Sequence, residues 1–403
     1  MRILLVDIYT SGHHLTYIRL FAAAFYHLKH KTEILLPADS ESDLHWKQWA
    51  EENGPIKVHL FSLSQLSAKS GRLGGRRHLL DKWEMISKKV EQKVENPESL
   101  DLIFFPYLDS FMGPYIFTNE IERVFPFFWS GLYMSPQNCR NQWRYSKARR
   151  WILSPNHLLT SKKCKSIGAF DEKSSGILQR EIGKPVITLP DIIDDTEPDT
   201  TFWMNHKIRE LSNGRKIISL LGALDKRKGL LTFMHSIERL NTNNFFFVFA
   251  GKLNESSFSS EDLAYIREIT ANHTDNLFFY PQRIPDEAQF NSLIVASDLL
   301  FASYIDFTVS SNLIGKAAMF RKPIIVSQGF YMEELVERYR LGMAIKQGDS
   351  ETLVNTIEKM VTPEYVKQYE SQNLASFYMK EISRQSFHSS LEKLVSYYSL
   401  AVN

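Results

Sequence analysis

Short apolar runs alternate with stretches of three-and-four spacing along most of this chain, and the alternation predicts its architecture. The first run, residues 2–7 (RILLVD), leads through a turn-forming segment at 9–12 into residues 13–28, where Leu15, Ile18, Phe21, Ala22, Phe25 and Leu28 recur at helical spacing. Strand, small-residue loop and helix in that order open a Rossmann-like unit. Further strands are expected at 33–36, 58–61, 102–105, 127–129 and 186–189, with a loop at 67–77, a charged helix at 79–95 and another helix near 174–181. Pro190, Asp191, Asp194, Asp195, Pro198 and Asp199 then form a run of turn formers and acids with little to pack, which places a domain boundary there.

The second half repeats the grammar. Residues 216–221 (KIISLL) predict a strand, 222–229 a polar loop and 230–240 a helix. The fully apolar run 245–250 (FFFVFA) stops at Gly251. Strands follow at 277–280 and 299–301, with a helix at 285–297 between them. Strands alternating with helices predict parallel sheets covered on both faces. The fold class expected is α/β, with two Rossmann-like domains, 1–190 and 191–375, facing across a cleft. The amphipathic residues 363–400 are helical, and 376–403 is expected to pack back toward the N-terminal domain.

Residues 307–327 (FTVSSNLIGKAAMFRKPIIVS) carry the most chemistry. Ser310, Ser311 and Asn312 are good helix N-caps. The helix they start ends at Arg321-Lys322-Pro323, before the buried strand 324–326. A helix N-terminus offers free N–H groups and positive dipole to an anion, and Lys316 lies one turn further in. From this segment alone an ordinary capped helix is the favoured reading.

Composition narrows the class. The 403 residues include no apolar run long enough to span a bilayer, and the N-terminal apolar core is too short for a signal peptide. Cys139 and Cys164 are too few for a disulfide framework or a structural zinc site, so a reducing cytoplasmic address is expected. Residues 1–190 hold 26 Lys and Arg against 19 Asp and Glu, while the remainder holds 22 against 27. No acid occurs between Glu122 and Asp171, where nine basic residues alternate with Trp129, Tyr133, Trp143, Tyr145 and Trp151. Such a stretch, 123–165, suits anionic lipid headgroups at the inner face of a membrane, and a solvated basic face accounts for it equally. Nucleic acid is not expected, since no recognised binding motif accompanies the charge.

An ordered set of motifs now gives a resemblance. GALDKRKG at 222–229, AG at 250–251, RIPDE at 283–287, Ala-Ser-Asp at 296–298 and KAAMFRKPII at 316–325 make the chain similar to glycosyltransferase family 4 (group 1) of the GT-B fold. SGHHLTYIRLFA near the N-terminus, FDE at 170–172 and LPD at 189–191 add thinner support. The resemblance implies that the C-terminal domain binds a nucleotide-diphosphate sugar, the N-terminal domain binds the acceptor, and neither metal nor other cofactor is required. Lys228 matches the lysine that neutralises the diphosphate. Gly222 opens its loop, Gly12 matches the N-terminal glycine loop, and Ser310, Ser311 and Asn312 stand where the phosphate-facing helix begins.

Departures accompany it. Ala223 replaces an arginine, with Lys226 and Arg227 nearby as substitutes. Thr308 and Lys316 stand where the family has two glutamates, one for the transferred sugar and one for ribose. A lysine cannot accept hydrogen bonds from ribose hydroxyls, so either Lys316 turns to phosphate or another group, such as Glu333 or Glu334, holds the ribose. Asp306 is a candidate for the sugar hydroxyls. On the acceptor side, Asp109, after the fourth strand, is the candidate proton acceptor, and His13 and His14 are candidates for phosphate or sugar contact or for helix capping. Arg283 is expected to face the cleft.

The leading expectation is a retaining hexosyltransferase acting on a glycan or lipid-linked acceptor. Its rival, motivated by the missing glutamates and by Ala223, is an inactive GT-B domain serving as a scaffold. An epimerase on the same fold lacks a suitable carboxylate set.

Overall fold

A computed structural model describes residues 1–10, 14–42, 44–53, 55–62, 75–136, 139, 147–240 and 243–399. The chain divides into two units, Met1–Pro190 with Phe387–Asn403, and Asp191–Ser386.

The first unit holds seven strands, β1 (Arg2–Val6), β2 (Lys31–Pro37), β3 (Lys57–Phe61), β4 (Leu102–Phe105), β5 (Trp129–Leu132), β6 (Cys164–Ala169) and β7 (Val186–Thr188). They pair in parallel in the order β3-β2-β1-β4-β5-β6-β7. Apolar runs become inner strands because helices cover both faces of the sheet, leaving little of β1, β2 or β4 to water. The second strand begins earlier than its apolar run suggests. Its Glu33 is buried, but Arg2 Nε donates to it at 2.8 Å and His59 Nε2 lies 2.9 Å away, so strand pairing tolerates the charge. Trp83, on the helix Gly75–Lys93, is fully buried with Phe105, Phe111, Phe125 and Trp129, each ring centroid about 5 Å from its own. Removing so large a side chain costs on the order of 3–5 kcal/mol. The loop expected at 67–77 lies largely outside the described residues.

The second unit holds β8 (Lys216–Leu221), β9 (Phe245–Ala250), β10 (Leu277–Tyr280), β11 (Leu299–Ala302), β12 (Ile324–Ser327) and β13 (Gly342–Ile345). Their parallel order, β10-β9-β8-β11-β12-β13, is the Rossmann order, with a reversal of direction between β8 and β11. One apolar layer joins the helices Trp203–Ser212, Glu287–Ala296, Asn312–Met319 and Tyr331–Tyr339 to the sheet. The other holds Leu230–Ile237, Ser260–Asn272 and Ser350–Met360. The edge strand β13 escapes sequence reading because three of its four residues are only partly buried and it starts at a glycine.

The C-terminal tail is three helices, Pro363–Gln372, Ala375–Glu381 and Arg384–Ser399. Residues 376–386 stay with the second unit, where Tyr378 and Ile382 join its core, so the tail expected from 376 onward is split. From Phe387 on, the last helix belongs to the first unit. Phe387 packs edge-on against Phe21 at 5.2 Å, and Ser166 Oγ donates to the Leu394 carbonyl at 2.8 Å. Among the described residues no helix is long and apolar enough to cross a membrane.

Candidate active site

Ligands of doubly wound sheets bind beyond the carboxyl ends of the strands, where the order reverses. In the second unit that point lies between β8 and β11, and the loops leaving these strands are pinned together there. Gly222 follows β8 with a φ of 96°, and its carbonyl oxygen is approached so closely by Gly251 that a Cβ on Gly251 would lie 1.7 Å away. Only glycine fits at 251, whose φ is 148°. Asp225 then closes a turn by accepting from the Lys228 backbone at 2.7 Å, and Ile305 N donates to the Arg227 carbonyl at 2.7 Å.

These contacts set the direction of two cations. Lys228 Nζ would lie 3.0 Å from a Cβ on Gly222, and it sits 5.2 Å from the Tyr304 ring centroid. Among the described residues, no carboxylate pairs with it. Arg227 lays its guanidinium on Phe307 at 4.9 Å, with Asp225 at 3.7 Å. Of the two substitutes considered for the missing arginine, Arg227 therefore faces the loop after β11. Lys226 turns outward to Asp262 at 2.7 Å.

The loop after β11 supplies donors. Ser311 caps the helix Asn312–Met319 by accepting from Leu313 N at 3.4 Å, and the buried Tyr304 hydroxyl lies 3.4 Å from its Oγ. The hydroxyl of Ser310 is shielded from water with no partner among the described residues. A donor of that kind costs stability unless something fills its bond. Asp306, at φ 48°, is held by Gln347, which accepts from its backbone at 2.7 Å and donates to its carboxylate at 3.2 Å.

Lys316 departs from expectation. Its side chain is buried, and Nζ donates to Glu287 Oε2 at 2.6 Å, Asn291 Oδ1 at 2.5 Å and the Asp194 carbonyl at 3.4 Å. All its protons are committed to the helix Glu287–Ala296 and the segment after β7, so it is not a phosphate ligand here. Glu333 accepts from Gly329 N at 2.6 Å. Arg283 is exposed in the loop after β10, with no partner among the described residues.

In the first unit the equivalent point lies between β1 and β4. Gly12 and His13 fall outside the described residues. Their neighbour His14 opens the helix His14–His27, and its Nδ1 lies 2.8 Å from Oδ2 of Asp7, a fully buried residue at the end of β1. Asp7 Oδ1 takes the backbone N–H groups of Ile8 and Tyr9 at 2.7 and 3.1 Å. The carboxylate thus fixes the imidazole, whose ring lies 4.1 Å from that of Tyr107. Burial raises the Tyr107 hydroxyl above the usual range, with smaller pushes from Asp109 and Asp7.

Asp109 stands two residues beyond Tyr107. Its two oxygens accept from Met134 N at 2.8 Å and Ser135 N at 2.9 Å, tying the loop after β4 to that after β5. Burial pushes its carboxyl up to about 6, against the pull of those two donors and of His14. Both oxygens are engaged, so the carboxylate holds backbone in place as well as facing His14. Asp7 and Tyr107 were missed in the sequence. The signal for Asp7 was its place at the carboxyl end of the first strand, directly before the small-residue turn.

Residues 201–375 match the family Glycosyl transferases group 1, which spans most of the second unit. No curated protein matches the chain. Among solved structures, the complex of Anabaena Alr3699/HepE with UDP covers 98% of this chain and 100% of its own at 14% identity, with a TM-score of 0.67. Sucrose-phosphate synthase from Thermosynechococcus elongatus covers 100% of both chains at 12% identity, with a TM-score of 0.70. WaaG, a glycosyltransferase involved in lipopolysaccharide biosynthesis, covers 97% of this chain and 98% of its own at 12% identity, with a TM-score of 0.62. With the Rossmann order in both sheets and these likenesses over nearly the whole length, the chain has the GT-B fold, and residues 201–375 of its second unit match the Glycosyl transferases group 1 family.

Proposed function

We propose that the protein is a glycosyltransferase that moves a hexose, with retention of configuration, from a nucleotide-diphosphate sugar to a hydroxyl of a glycan or lipid-linked acceptor. The observation that carries the donor half is Lys228, an ammonium without a carboxylate partner among the described residues, held beside Gly222 where the strand order reverses. Arg227 and the Ser310 hydroxyl, which has no partner among the described residues, belong to the same two loops. Fixed cations and donors of this kind stabilise the negative charge that develops on a departing diphosphate.

In the proposed reaction the acceptor oxygen bonds to the anomeric carbon on the face from which the diphosphate leaves. The carbon–phosphate oxygen bond breaks, and the acceptor proton passes to a phosphate oxygen. His14, oriented by Asp7, contacts the acceptor or sugar, while Asp109 positions the loops around it. An anionic membrane is the proposed location of a lipid-linked acceptor. Exposed Trp151 and Ile152 on the helix Lys147–Leu153, with Lys163 and Lys165 over Phe128, support that reading. The scaffold alternative rests only on the replaced glutamates and Ala223.

The test is a panel of nucleotide sugars, begun with UDP-glucose because Alr3699/HepE was crystallised with it. Release of nucleoside diphosphate with an acceptor, and an unchanged anomeric configuration in the product by NMR, are expected. A protein that neither binds nor turns over any donor of the panel is not described by this reading.

A further inference from the structure

We propose that Glu287 is the carboxylate that receives the ribose hydroxyls of the donor nucleotide, and that Lys316 is the residue that presents it. The inference rests on the donor reading above and identifies a residue within that site.

Lys316 is only 3% exposed, and a buried ammonium is costly unless every proton is satisfied. Three acceptors do so, the Glu287 carboxylate, the Asn291 amide oxygen and the Asp194 carbonyl. Asn291 is itself fixed, since its Nδ2 donates to the Thr196 carbonyl at 2.7 Å. The ion pair is lopsided, because the Glu287 side chain remains 48% exposed against 4% for that of Lys316. One carboxylate oxygen is locked to the buried cation. The other has no partner among the described residues.

Position and chemistry give that oxygen its task. Glu287 opens the helix that follows β10, on the carboxyl side of the same parallel sheet that carries Lys228. A vicinal diol donates two O–H groups, and a carboxylate accepts both; neither Lys228, Arg227 nor a helix N-terminus can accept either. The neighbouring carboxylates also have an oxygen engaged, but by a backbone or amide N–H and not by a buried ammonium. Asp225 holds Lys228 N, Asp286 caps its helix through Gln289 N at 2.8 Å, Asp306 is held by Gln347, and Glu333 takes Gly329 N. Glu287 differs in offering its open acceptor on a side chain oriented from behind by a buried cation. The ion pair with Lys316 fixes the direction of the Glu287 carboxylate.

The experiment is calorimetric titration of the full chain with UDP, GDP and ADP, followed by the 2′,3′-dideoxy form of the best binder. Wild type should bind the ribonucleotide at least about tenfold more tightly than the dideoxy form, as expected for hydrogen bonds to a charged acceptor. In Glu287→Gln the amide gives its oxygen to Lys316 and turns N–H groups outward, so that ratio should fall to near one while dideoxy affinity changes less than about twofold. Thermal melting reports folding; if Glu287→Gln melts markedly lower, Glu287→Asp, which keeps the charge but withdraws it by one methylene, carries the same comparison. A ratio preserved in the folded variant, or absent from wild type, overturns the role of Glu287 and leaves the donor site standing. Failure of all three nucleotides to bind wild type overturns the donor reading and this inference with it.

Discussion

Single side chains at the two strand-order reversals differ in whether their partners are already present. Lys228 has none among the described residues, so its replacement removes little from the folded protein and much from an anionic ligand. Lys228→Ala should weaken nucleoside diphosphate binding by about tenfold or more, as for a charge-assisted hydrogen bond, and leave the melting temperature nearly unchanged. Calorimetry and a thermal melt on one preparation check both halves. Asp109 behaves oppositely, since its oxygens are occupied and burial raises its pKa from 3.8 to about 6. The folded protein keeps that proton to higher pH than the unfolded chain, so its contribution to stability is present below the unfolded value and is lost as pH rises through about 6. Wild type should therefore lose stability relative to Asp109→Asn between pH 4 and pH 7. Parallel unfolding curves for the two proteins across that window would remove the shift.

Between strands and loops, the decisive contact is backbone on backbone. Gly251 ends β9 against the Gly222 carbonyl, and this close approach shapes the loop that aims Lys228. Gly251→Ala must move one loop or the other, and its left-handed backbone disfavours any side chain. The variant should lose about 2 kcal/mol or more by urea unfolding, together with nucleotide affinity. The two losses distinguish it from Lys228→Ala, where affinity falls alone.

Across the molecule, the chain leaves its first unit at Pro190 and returns to it at Phe387. The returning helix Arg384–Ser399 brings Phe387 onto Phe21 and buries Leu391, Leu394 and Val395. Deleting 387–403 uncovers that apolar surface, equivalent to several buried side chains at about 1.5–3 kcal/mol each. Limited proteolysis of the truncated protein should cut first within Met1–Pro190 and leave Asp191–Ser386 resistant. Equal resistance of both units would show that the helix contributes nothing to the first.

Periodicity by itself determined most of the elements and their class. Runs such as 245–250 and 324–326 cannot avoid being inner strands, because nothing in them tolerates water, and their alternation with capped helices leaves few arrangements besides parallel sheets. The same logic marked the loops 222–229 and 307–312, since loops at the carboxyl ends of such strands carry the chemistry. What periodicity carries no record of is which side chains meet across loops. Lys316 read as a phosphate ligand because it sits near a helix start, yet Glu287, distant in sequence, takes its charge. Asp7 read as the end of a strand until the first helix brought His14 over it. Pairing of charges is decided by distances of a few ångströms between segments far apart in the chain, and only the folded backbone sets those distances.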